Sequence, residues 1–125
     1  MSRVEEGRPY AWGELYAALL VLEGIAGAGR IAPVPEQQVR RTAYMPRSVF
    51  EDHLRGVGGQ VFTARQRGGT VAEAAAVVFA DIARLIRPER MPLHGLGQSA
   101  AEEFRQGYEA RVAAYRKAWA ELAGS

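Results

Sequence analysis

Six arginines carry the most legible chemistry in this chain. Arg40, Arg41 and Arg47 crowd the stretch QVRRTAYMPRSVFEDHL, residues 38–54, and Arg55, Arg65 and Arg67 follow it. A guanidinium is a planar fork of donors that suits phosphate oxygens. Several of them along one helix edge would track a nucleic-acid backbone without reading bases. The first N–H groups of a helix opening at Pro46 would add to the attraction. Tyr44 has a ring that can stack on an unpaired base, and serves equally well as a core or surface residue. The opposing reading is a solvated surface. Glu51 lies four residues from both Arg47 and Arg55 and can pair with either. Both readings stand at this point.

No constellation for catalysis emerges. His53 and His94 lie in different elements, His53 at the border of an apolar face and His94 in a loop beside glycines. Neither has the further ligands that a metal site requires, and a structural histidine is the simpler reading of His53. The acidic pairs Glu5–Glu6 and Glu102–Glu103 sit near helix starts, where carboxylates favour the positive end of the dipole. GVGGQ, residues 56–60, is glycine-rich but lacks the lysine and strand-turn-helix setting of a phosphate loop. The chain therefore reads as a non-enzyme with no cofactor and no metal. Arg105, Arg111 and Arg116 count less as phosphate ligands, because Glu102, Glu109 and Glu121 lie close enough to pair with them.

The elements that must position these residues are all helical. Trp12, Leu15, Leu19 and Leu22, widened by Tyr16, Leu20 and Ile25, predict a helix from about Pro9 to Ala28, with the proline in its first turn. GAGR ends it. A short helix is expected from about Pro35 to Thr42. A third opens at Pro46 and ends near Gln66, with Phe50, Leu54, Val57 and Val61 on one face. Gly56, Gly58 and Gly59 interrupt it, so either a neighbour packs very close there or the helix bends; a continuous, weak helix is preferred. After RGGT, Thr70 and Glu73 make a capping-box pattern. The fourth helix, VAEAAAVVFADIARLI, is the most apolar and is expected at the centre. RPERMPLHGLGQ is a turn-rich connection. The last helix runs from about Ser99 to Leu122 on a stripe of Phe104, Tyr108, Val112, Tyr115, Trp119 and Leu122. The expected fold is an all-α, compact bundle of four long helices and one short one, forming a single domain over residues 1–125.

The bulk composition agrees. At 125 residues and 48% hydrophobic content the chain can bury one core unaided. It has no cysteine, which excludes disulfides and thiolate metal sites and suits a cytoplasmic setting. No signal-peptide core opens the sequence, and its longest apolar run is too short for a membrane span, so no membrane partner is expected. The formal net charge is only +2, but residues 30–67 hold seven arginines against Glu36, Glu51 and Asp52. That asymmetry points to an anionic partner.

Three motifs, in order, resemble a known family. Tyr10-Ala11-Trp12-Gly13-Glu14-Leu15-Tyr16-Ala17, then Met45-Pro46-Arg47-Ser48-Val49-Phe50, then Phe104-Arg105-Gln106-Gly107-Tyr108 are similar to the C-terminal helical region of the type I-C CRISPR Cascade large subunit. In that system the same region is also made as a separate small subunit, and a chain beginning shortly before the first motif resembles that product. The resemblance implies a non-catalytic helical subunit lining an RNA-guided complex. Its partners would be the large subunit, other Cascade subunits, copies of itself, and the target and displaced DNA strands, with the guide RNA contacted indirectly. A helical adaptor or inhibitor, of phage or regulatory kind and without nucleic-acid contact, is the alternative.

Overall fold

A computed structural model describes residues 2–31, 36–44, 46–86 and 97–123, with the side chains of 2–8, 36, 40, 43–44 and 46–49 outside the described set. The elements are α1 (Ser2–Gly27), α2 (Glu36–Tyr44), α3 (Pro46–Arg67), α4 (Gly69–Leu85), α5 (Gln98–Ala118) and a 3-10 turn (Ala120–Ala123). No strand occurs among the described residues, and the all-α bundle is the architecture. The expected connection at residues 87–96, with His94, lies outside them.

The bundle is built around α1, not α4 as its composition suggested. Leu15, Tyr16, Ala17, Ala18, Leu19, Leu22 and Ile25 are all at most 2% exposed, so α1 is apolar on nearly every side. Such a helix must be covered all round, and α3, α4 and α5 cover it. Half of the apolar residues of α4 are alanine, and Val77 and Phe79 face outward. Cross-contacts fix the directions. Tyr16 meets Phe50 while Ala26 meets Arg67, so α1 and α3 are parallel. Glu14 meets Arg111 while Ile31 donates to the Leu122 carbonyl at 2.6 Å, so α5 runs the same way. Asp81 meets Tyr115 while Thr70 meets Glu121, which makes α4 the antiparallel member.

The closest approach is between α1 and α5. A Cβ built on Gly13 would lie 2.8 Å from the Phe104 carbonyl carbon and nearer still to its oxygen. A Cβ on Gly107 would lie 2.9 Å from the Tyr10 carbonyl carbon. Backbone therefore packs on backbone, with a glycine hydrogen directed at each carbonyl oxygen as in a weak Cα–H···O contact. Around this crossing the rings gather on Tyr16. Its centroid is 6.0 Å from that of Phe50, 5.8 Å from Phe104 and 5.7 Å from Tyr108. Each such pair contributes about 1 kcal/mol beyond area burial.

Three local expectations are corrected, and the preferred reading of α3 as one continuous helix holds. Helix α1 begins seven residues earlier than Pro9, which sits buried inside it. One interior proline forfeits a backbone bond at a cost of about 3 kcal/mol, and the coverage of α1 offsets that. Thr70 is not an N-cap. Gly68 holds that place at φ 69°, followed by Gly69 at φ 56°, a pair of left-handed residues that suits glycine. Thr70 instead donates its hydroxyl to Glu121 Oε1 at 3.2 Å. The regular part of the last helix stops at Ala118, and the 3-10 turn carries Leu122 into the core. Finally, no neighbour packs against the α3 glycines. The helix is continuous, and a Cβ on Gly58 or Gly59 would meet nothing within 4 Å. Each still costs about 1 kcal/mol relative to alanine.

Gly13→Ala and Gly107→Ala each destabilise the fold by about 3 kcal/mol, read as a lower urea midpoint. Gly58→Ala raises that midpoint.

Candidate nucleic-acid interface

Of the six arginines the structure describes the side chains of four, and one of these, Arg67, is turned away from the others on α3. The side chains of Arg40 and Arg47, with that of Tyr44, lie outside the described ones. Arg41 is exposed on α2, a helix that packs chiefly against α5. Arg55 and Arg65 share the outer face of α3, ten residues and so about 15 Å apart. Arg55 is 78% exposed and pairs loosely with Asp52 at 3.5 Å, a contact worth under about 1 kcal/mol. Arg41 and Arg65 have no carboxylate partner among the described residues.

Arg67 is committed elsewhere. Two residues beyond Arg65, it points about 200° round the helix. Its Nε donates to the Ala26 carbonyl and its Nη2 to the Gly27 carbonyl, both at 2.8 Å. These are orphan acceptors at the end of α1, whose last turn has no basic residue of its own. The arginine caps a neighbouring helix, where the dipole favours a cation. Gly29, at φ 73°, completes that terminus.

Two polar clusters join the helices. His53 Nδ1 contacts Glu23 Oε2, with the ring edge-on to Tyr16 at 5.8 Å, so the half-buried histidine ties α3 to α1. On the far side Arg111 Nη2 donates to Glu14 Oε2 at 2.5 Å, and Nη1 lies 3.7 Å from Asp81 Oδ2. Tyr115 donates its hydroxyl to the same Asp81 oxygen at 2.7 Å. This knot joins α1, α4 and α5, and Glu14 was not the partner foreseen for Arg111. Burial opposes the Arg111 charge, but Glu14 and Asp81 outweigh it and hold the guanidinium above its ordinary range. Arg105 does pair as foreseen, with Glu102 and with Glu109 at 2.7 Å.

Two tyrosines are held neutral. Burial pushes Tyr108 up to about 12, with the Tyr16 ring adding to it. Burial and then the Asp81 hydrogen bond hold Tyr115 above the ordinary phenol range. Among the described residues no group of three or more histidines, cysteines and carboxylates could hold a metal, and no helix is long and apolar enough to cross a membrane.

The outward apolar side chains include Phe62 on α3 and, on opposite flanks of the buried face of α4, Val77 and Phe79. On α3, Phe62 is 63% exposed. It lines a shallow groove of about 370 Å³ with Gly58, Val61, Arg65 and Gln66. From residue 53 to residue 72 the sequence holds Arg55, Arg65 and Arg67 and no carboxylate. Sequence reading missed Phe62, because an aromatic on an apolar-rich helix looks like core. Its offset from the Phe50–Val57 stripe was the available signal. No protein-family model, curated protein or solved structure matches the chain.

Arg111→Ala leaves Glu14 and Asp81 facing each other and destabilises the fold by about 2–3 kcal/mol by urea titration. Alkaline pH acts through the tyrosines. Tyr108 ionises later in the folded chain than in the unfolded one, from 10.0 to about 12. Its stabilising share is complete below pH 10 and is lost as pH rises through 12. The urea midpoint falls across that window, and Tyr115→Phe makes the fall shallower.

Proposed function

We propose that this chain is a non-catalytic small subunit of a type I CRISPR Cascade complex, supporting target DNA and the displaced strand through a basic surface. The observation that carries the reading is the outer face of α3. Arg55 and Arg65 stand exposed there, on a segment without acids. Two further points support it. The motif residues Trp12, Tyr16, Phe50, Phe104 and Tyr108 are core residues. Gly13 and Gly107 make the α1–α5 crossing. The resemblance thus rests on residues that decide the fold.

A few exposed cations on a chain of net charge +2 suit a subunit that leaves sequence reading to guide pairing. Exchange of one duplex for another is nearly balanced, so modest backbone contacts can tip it. The adaptor reading draws on different residues, the outward Phe79 and Ile86, seven positions apart at the C-terminal end of α4 and exposed by 44% and 47%.

Fluorescence anisotropy with labelled DNA separates the two. The chain binds DNA with an affinity that falls as salt rises. The triple variant Arg41→Ala, Arg55→Ala, Arg65→Ala binds more weakly and shows a shallower salt slope, by roughly two units. In a Cascade complex reconstituted without its own small subunit, the wild-type chain restores target binding and the triple variant does not. DNA binding absent in wild type, or untouched by salt and by the triple variant, leaves the adaptor reading in possession.

A further inference from the structure

Gly58 and Gly59 have no role in the fold. Their backbone is ordinary helix, their surroundings are empty, and alanine at either would strengthen α3. They contrast with Gly13 and Gly107, which the helix crossing demands. Both lie one turn before Phe62, so the exposed ring adjoins a bare stretch of helix backbone. Arg55 and Arg65 stand on the same face, three residues before Gly58 and three beyond Phe62. Glu51 and the Arg55–Asp52 pair close the face on the N-terminal side.

We infer that Phe62, with the open backbone at Gly58–Gly59, is a stacking platform for an unpaired base of single-stranded nucleic acid, whose flanking phosphates meet Arg55 and Arg65. The inference rests on the nucleic-acid reading above and narrows it from backbone attraction to strandedness. A planar base needs a flat, unobstructed approach, and side chains at 58 and 59 would obstruct it. A duplex has no free base face, so it gains from the arginines alone. Aromatic stacking tolerates any base, in keeping with a surface that reads no sequence. An apolar protein side chain would gain little from Arg65 in the groove lining and Arg55 a turn before it on the same helix, whereas a phosphodiester strand uses both.

The test compares oligothymidine with a duplex of mixed sequence, using the full chain. Phe62 is largely solvated, so Phe62→Ala folds as wild type does. It lowers affinity for oligothymidine about tenfold and leaves duplex affinity within twofold, while Phe62→Trp retains single-strand binding. Arg55→Ala with Arg65→Ala lowers both. Gly58→Ala with Gly59→Ala raises the melting temperature and weakens only the single strand. Unchanged oligothymidine binding by Phe62→Ala or by the glycine variant overturns the platform, while arginine losses in the same assay leave the broader reading intact. Wild type that binds neither nucleic acid overturns both. Self-association in sedimentation velocity that Phe62→Ala abolishes, with single-strand binding unchanged, assigns the face to a second copy and overturns the proposal.

Discussion

Everything in this bundle depends on two helices touching without side chains between them. Gly13 on α1 and Gly107 on α5 let carbonyl oxygens of each helix reach the backbone of the other. Because the helices are so close, Tyr16 meets Phe104 and Tyr108 directly. The same approach brings Arg111 to Glu14 and, across α4, to Asp81. The shared ring cluster then accepts Phe50, which seats α3. His53 against Glu23 and Arg67 on the end of α1 hold that helix along its length. With its inner face so fully engaged, α3 presents only its outer residues to anything else.

The four glycines show why sequence reading carries some features and not others. The apolar stripes were legible, because 3.6-residue periodicity is a local property. Phe50, Val57, Phe104, Tyr108 and Tyr115 are buried as their spacing implied. A glycine that permits a close crossing and one that opens a surface look identical in sequence. Which is which depends on a neighbour that may be ninety residues away. Gly13 reads in sequence as part of a motif and Gly58 as a packing contact, a bend or a weak point in a continuous helix; the last holds for Gly58, and only Gly13 meets backbone.

Partners of charged groups were similarly hard to foresee. Local i,i+3 and i,i+4 pairs such as Arg105 with Glu102 and Glu109 follow from helix geometry. Arg111 with Glu14 and Arg67 with the α1 carbonyls join residues 97 and 41 positions apart and follow only from topology. That distinction trims the six candidate arginines to Arg41, Arg55 and Arg65 among the described side chains. It also shifts the aromatic of interest from Tyr44 to Phe62. Weak contacts of this kind gain force when copies of a subunit are lined up on one strand, because each contact raises the effective concentration for the next. The exposed Phe79 and Ile86 belong to a different helix, so a protein partner and a nucleic acid need not compete for one face.

The central claim is that the outer face of α3 is where the molecule meets its ligand, while the α1–α5 crossing is pure architecture. An amide chemical-shift titration of the labelled full chain with oligothymidine tests it most directly. The account predicts saturable shifts at Arg55, Gly58, Gly59, Phe62 and Arg65, with Gly13 and Gly107 unmoved. Saturable shifts centred on Val77 and Phe79 of α4, or none at all, would contradict it.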